Sequence, residues 1–198
     1  MELAAALTAR RSCRDFQADP IPADVVATVL ASARQGPTAG NTWALDLVLV
    51  DRPNEYWDVT LPAGTARETF RWPGLLSAPV LVIAVVDPNA YAARYAEPDK
   101  RASGLGETAA AWPVPYWWVD AGAAVMAMLL AATDAGLASL FFGQFGHEPD
   151  VRDAFGIPSD RRCVGTVALG LPATTERQSR SVARGRPSPH EFIHQGRW

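Results

Sequence analysis

The chain has 198 residues, 48% of them hydrophobic and 20% charged, with a formal net charge of −3. That length and mixture suit one soluble globular domain spanning residues 1–198, and the mild negative charge argues against a general nucleic-acid binder. The two cysteines, Cys13 and Cys163, make neither a disulfide framework nor a CxxC metal pair. No secretory leader is legible, and the longest uncharged helical run, residues 121–133, is shorter than the ~20 residues that cross a bilayer. The sequence therefore leads us to expect a cytoplasmic protein that uses neither metal nor membrane.

A first helix is expected over residues 2–8. Arg10-Arg11-Ser12-Cys13-Arg14-Asp15-Phe16 follows it directly, with three guanidiniums and a hydroxyl within five residues. Asp19-Pro20-Ile21-Pro22 breaks the chain. Pro22 stands where the first turn of a second helix needs no N–H, and that helix carries Val25, Val26, Val29, Leu30 and Ala33 on one face before Gly36-Pro37 stops it. A tight loop at 37–42 leads to an apolar strand at 45–50. Residues 54–71 read as one or two short helices, and 80–86 is a continuous β-branched run of the kind buried on both faces.

A short helix is expected over 88–95. Residues 97–115, with three prolines, two glycines and little periodicity, read as a mobile excursion or lid. The longest helix, about 116–135, is apolar nearly all round, which demands burial in a core or across a subunit interface. Gly136 caps it, and two further buried strands, 137–142 and 163–169, flank an amphipathic helix at 149–155. After Pro172 the chain turns polar and arginine-rich and must lie along something else. Strands between helices, one of them too apolar for a small monomer, give an α+β or three-layer domain that buries its centre by dimerising.

The charge is unevenly spread. Residues 10–14 carry three of the 18 basic side chains and residues 177–197 five more (Arg177, Arg180, Arg184, Arg186 and Arg197), while the middle is acidic. Guanidinium forks match phosphate oxygens in two-point contacts, so ends of this kind suit a discrete site for a small dianion where they meet. Other patterns carry less. Gly104-Leu105-Gly106-Glu107-Thr108-Ala109 spells a dinucleotide fingerprint but follows no strand. His190 and His194 lack a third ligand at metal spacing, and His147 stands at a helix start. Cys13 is read as a buried neutral thiol and Cys163 as core.

Four separated pieces, taken together, resemble the FMN-dependent nitroreductase family over nearly the whole length. They are residues 10–16; Ala33-Arg34-Gln35-Gly36-Pro37-Thr38-Ala39-Gly40-Asn41; Gly136 to Phe145 with Phe155-Gly156-Ile157-Pro158 and the strand ending at Pro172; and Arg184-Gly185-Arg186-Pro187 with the terminal His194-Gln195-Gly196-Arg197-Trp198. The resemblance implies an α+β, three-layer α/β/α fold. Its mostly antiparallel central sheet is flanked by helices, and an extended C-terminal tail wraps a partner subunit. It also implies a homodimer with FMN at the interface, and NADPH or NADH as electron donor. Arg10, Arg11, Ser12 and Arg14 would meet the phosphate and the pyrimidine side of the flavin. Arg184 and Arg186 would close on the phosphate. Pro37, Thr38, Ala39 and Asn41 would line the ring from the other subunit, with Phe142, Gly143 and Gln144 along the isoalloxazine and a backbone N–H near N5. Arg71 is a further candidate at the pyrimidine edge.

The implied reaction is ping-pong hydride transfer from NAD(P)H through N5 to a small planar acceptor such as a nitroaromatic or quinone, with no catalytic side chain required. The chain departs from the family at Trp43, after the asparagine loop, and at Gln144, beside the ring, and both departures reshape the substrate face. Trp112, Trp117 and Trp118 either stack on a planar substrate or pack at the start of the central helix. Three alternatives stay open: a flavin-binding or flavin-sequestering protein without turnover, a specialised dehydrogenase or flavin-modifying enzyme, a deazaflavin included, and a plain structural dimer whose arginines are only surface charge.

Overall fold

A computed structural model describes residues 1–175 and 179–198; Arg177 and the side chain of Arg180 lie outside what it describes. The helices are α1 (Leu3–Ala9), α2 (Ala23–Ala31), α3 (Pro53–Thr60), α4 (Thr65–Glu68), α5 (Pro88–Tyr95), α6 (Tyr116–Asp134), α7 (Glu148–Ala154) and α8 (Pro189–Phe192). The strands are β1 (Leu45–Val50), β2 (Val80–Val86), β3 (Ala138–Phe142) and β4 (Arg162–Gly170). They form one sheet in the order β1-β2-β4-β3, with every neighbouring pair antiparallel.

The expected three layers follow from the side-chain alternation of β2. Leu81, Ile83 and Val85 point to a layer built on Tyr56 and Trp57 of α3 and Val151 of α7. Val82 and Ala84 point the other way, to Val29 of α2 and to Ala124, Val125, Met128 and Ala132 of α6. A strand covered on both faces needs no polar positions, which is why its sequence is an unbroken apolar run. β4 carries a bulge opposite Ala84 and Val85. Because of it Cys163 and the buried Thr166 both serve the α3 side, while Val164 and Val167 serve the α6 side.

Local chemistry sets the boundaries. Asp87 accepts the Asn89 N–H at 2.9 Å and Pro88 fills the first helical position of α5. The chain leaves α6 through Gly136 at φ +75°. Burial of α6 runs along one face (Trp117, Asp120, Ala121, Ala124, Val125, Met128), whereas Val119 is 52% exposed and Met126 and Leu130 are half-buried. A single chain therefore leaves an apolar stripe of α6 uncovered. α6 is also the one described helix long and apolar enough to reach the measure of a membrane span; here it is the core helix.

Residues 97–115 hold two short 3₁₀ turns, Arg101–Ser103 and Ala109–Ala111. They pack down through Trp112, which is 7% exposed and donates Nε1–H to the Leu105 carbonyl at 3.0 Å. The GxGxxA spelling lies in this stretch, with no strand before it.

Candidate functional site

The arginine segment leaves the C-terminus of α1, where the Arg10 N–H closes on the Ala6 carbonyl. It then runs as an extended strap along the β3 edge of the sheet. Ser12 bridges Ser139 in parallel, and the Cys13 N–H bonds the Ser139 carbonyl at 2.9 Å. Further on, the Phe16 N–H bonds Gly74 and the Gln17 N–H bonds Leu171. Cys13 and Phe16 are buried at 2% and 3% exposure and anchor the strap to the core. Arg11 and Ser12 are left exposed, and Arg10 and Arg14 half-buried. The Cys13 thiol donates to the Asp15 carbonyl at 3.2 Å. Gly74 is where the strap comes closest, since a Cβ there would sit 1.9 Å from Asp15 Oδ1.

A cleft of about 410 Å³ opens on this strap, lined by Arg10, Arg11, Ser12 and Arg14 together with Ser181 and Arg186 from the tail. The two basic ends of the chain thus meet in one place. Arg10, Arg11, Arg14 and Arg186 take part in none of the ion pairs among the described residues. Arg184 is exposed and lies outside the cleft lining. Arg71 is brought in by a neighbour that the sequence did not single out. The Trp72 ring carries the Arg71 guanidinium 5.0 Å from its centroid and that of Arg14 at 5.3 Å.

Pro37, Thr38, Ala39 and Asn41 stand at the other edge of the sheet, in the turn that leads into β1. Gly40 and Asn41 both take positive φ, at 65° and 58°. The turn is tied to the core by Asp120, 8% exposed on the buried face of α6, whose Oδ2 accepts the Ala39 N–H at 2.7 Å and the Tyr91 hydroxyl at 2.8 Å. Burial first, and the Asp120 carboxylate second, push the Tyr91 phenol far up and keep it a donor. A cavity of about 240 Å³ here is lined by Thr38, Trp43, Tyr91, Trp117 and Asp120, among others. Thr38 Oγ1 is buried beside it without a hydrogen-bond partner among the described residues. Trp43 is 57% exposed, while Trp112 is walled into a cluster with Tyr91 and Tyr95, at 5.6 and 4.6 Å between ring centres. Packing accounts for Trp112; Trp43 and Trp117 share the cavity.

Phe142, Gly143 and Gln144 follow the edge strand β3. Phe142 stacks on Trp57 at 5.8 Å with a 10° tilt, so its ring faces inward. Gln144 also turns inward: it is 5% exposed and its Nε2 donates to Thr166 Oγ1 at 3.1 Å, which in turn donates to the Tyr56 hydroxyl at 2.9 Å. Burial pushes that phenol up to about 12. The outer side of this turn therefore presents the ring of Phe145, which is 89% exposed at φ +48° and lies against the half-buried Gly143, where a Cβ would meet it at 3.0 Å. Cys163 is core as expected, its thiol pushed up to about 11 by burial. His190 and His194 are exposed, and His194 lies against Trp198 at 4.4 Å.

Sequence reasoning missed Trp72, Phe145 and Asp120. Only Asp120 left a signal: it is the one charged residue between Tyr116 and Thr133.

An antiparallel four-stranded sheet between two helical layers, with an arginine strap docked along one edge, defines an α+β protein with an arginine-lined cleft. The sequence model of the Nitroreductase family matches residues 7–171, and the chain belongs to that family. Among solved structures it is similar to a nitroreductase family protein of Clostridium difficile 630 (19% identity, all of both chains covered, TM-score 0.72). It is also similar to an FMN-dependent nitroreductase of Clostridium difficile R20291 (15% identity, 98% of this chain and 99% of that one, TM-score 0.69). A third likeness is NfrA2 of B. megaterium (16% identity, all of this chain and 76% of that one, TM-score 0.73). At these identities the likeness is one of fold.

Proposed function

We propose that the protein is an FMN-binding oxidoreductase of the nitroreductase type, taking electrons from NADPH or NADH. One observation carries the reading. Four arginines without ion pairs among the described residues, drawn from both ends of the chain, line one cleft beside a serine hydroxyl. That donor set fits the phosphate of a flavin mononucleotide: Arg10, Arg11, Arg14 and Arg186 supply charge, and Ser12 a further hydrogen bond. Arg71, held with Arg14 on Trp72, would extend the cationic surface toward the pyrimidine side. Arg184 would join from the tail. FMN, when bound, supplies hydride exchange between the nicotinamide and a small planar acceptor such as a nitroaromatic or quinone. The chain's part is to bind and orient: the backbone at Gly143, half-buried beside the Phe145 ring, would offer an N–H to the flavin ring, while the inward Phe142 and Gln144 side chains hold that turn.

The placement of the pieces supports a homodimer. The strap pairs outside β3 and the turn bearing Pro37, Thr38, Ala39 and Asn41 stands at the β1 edge, four strand spacings away, about 19 Å. A site using both needs that turn from a second copy. The uncovered stripe of α6 and the exposed tail are the surfaces such a copy would cover, and the tail would wrap it.

The test is the visible spectrum of the purified protein with FMN, followed by NADPH or NADH without oxygen. Bound flavin bands that bleach are expected, and a protein that leaves FMN free in solution refutes the reading. Flavin that binds but resists both nicotinamides keeps the site and removes the reductase.

A further inference from the structure

We propose that Asp120 is the positioning residue of the turn that faces the flavin: its carboxylate holds residues 38–41 in the shape that presents Thr38, Ala39 and Asn41. The inference rests on the flavin reading above. The turn has two backbone bonds of its own, Asn41 N–H to the Thr38 carbonyl at 3.1 Å and Thr42 N–H to the Ala39 carbonyl at 3.2 Å. Two consecutive residues take positive φ, and the second, Asn41, is not glycine. Three contacts from outside or just beyond the turn fix it. Thr42 Oγ1 donates to the Ala39 carbonyl at 2.7 Å, Arg94 Nε donates to the Gly40 carbonyl at 2.8 Å, and Asp120 Oδ2 receives the Ala39 N–H. Gly40 is seated on Tyr95 so closely that a Cβ would meet the ring at 2.7 Å.

Of these contacts only that of Asp120 comes from the central helix. Thr42 is local, and Arg94 is shared with the exposed Asp99. A carboxylate buried on an otherwise apolar face is costly unless its hydrogen bonds repay it. Here both donors, Ala39 N–H and Tyr91 O–H, converge on one oxygen. A small apolar residue there, like the neighbouring Ala121 and Ala124, would fit the helix but would leave the buried Tyr91 hydroxyl without this acceptor. The turn would lose its tie too, because the Ala39 N–H would then be buried without an acceptor.

Two readouts test this on the full-length protein: amide hydrogen exchange across residues 37–43 without flavin, and FMN affinity by fluorescence quenching. Asp120→Ala should speed exchange at Ala39 and weaken FMN binding about 10- to 100-fold. Asp120→Asn keeps an oxygen that accepts both bonds and should restore affinity to within about threefold of the unaltered protein. Wild-type exchange and affinity in Asp120→Ala would overturn the proposal. If that variant does not fold, Asp120→Leu, which fills the same space without an acceptor, decides: faster exchange at Ala39 supports the clamp, and unchanged exchange overturns it. A wild-type protein that ignores FMN would remove the flavin reading, while the exchange result would still judge the clamp.

Discussion

The two ends of the chain bring arginines to the same cleft by opposite means. The strap is fastened before any ligand arrives. Backbone bonds from Cys13, Phe16 and Gln17 reach Ser139, Gly74 and Leu171, and two buried side chains anchor it. In the tail, residues 181–198 are all exposed, and their backbone bonds, such as Val182 to Ser179, Gly185 to Val182 and Ile193 to Pro189, close within a few residues. Ordering a long side chain costs up to ~2 kcal/mol, so a preordered arginine spends less of its interaction on being held still. On the proposed flavin reading, the strap would be the scaffold of the phosphate site and the tail its closure.

The largest expected effect comes from loosening the scaffold. At Gly74 any side chain would collide with Asp15, including its Cα at 2.9 Å, so the strap itself must shift. Gly74→Val should cost about 3 kcal/mol of stability, as overpacking does, and should weaken FMN at the same time. Chemical denaturation and a flavin titration measure the two. A stable variant with normal affinity would show that the strap is not what positions the arginines.

Next come the arginines themselves. Arg10→Ala removes a charge-assisted bond from the ordered side and should cost about 1.5–3 kcal/mol of FMN binding, one to two decades in Kd. Arg186→Ala should cost less, about 1 kcal/mol, because the ordering of the tail offsets part of what its arginine gains. Both losses should shrink as salt is raised. Equal losses would erase the distinction between scaffold and closure.

A contrast with paired arginines sharpens the point. Arg162 forks onto Glu148 at 2.8 and 3.0 Å, and that carboxylate also accepts the Cys163 N–H. The Arg162 hydrogen bonds hold the Glu148 carboxyl below its ordinary 4.5. A depressed folded-state value gives stability that is present above about 4.5 and lost as pH falls through the folded one. Acid melting curves should therefore flatten in Glu148→Gln. The strap arginines have no such carboxylate partner among the described residues.

How much of this was legible follows from the reach of each signal. β2 and α5 were readable to the residue because a doubly buried strand and an N-terminal Asp-Pro pair write themselves locally. The meeting of the two basic ends was legible from charge distribution, for Arg186 if not for Arg184. The inward turn of Gln144 was not. It depends on Thr166, whose facing is set by the bulge at Gly165, and a bulge reverses side-chain parity without marking the sequence. The Asp120 clamp joins residues 39, 91 and 120, too far apart for any spacing rule.

The smallest expected effect lies where the two regions join. Thr175 Oγ1 donates to Asp15 Oδ2 at 2.8 Å, and the Ala173 N–H bonds the Asp15 carbonyl, so the root of the tail is tied to the strap itself. Thr175→Ala removes the exposed side-chain bond and leaves the backbone one, which should cost at most about 1 kcal/mol of stability. The flavin titration is the more telling measurement. If the tail is only a closure, its arginine finds the cleft from a looser root, and affinity should fall by no more than about threefold. A loss as large as that of Arg186→Ala would mean that the strap holds the tail in place as well, and that both ends of the chain form one preordered site.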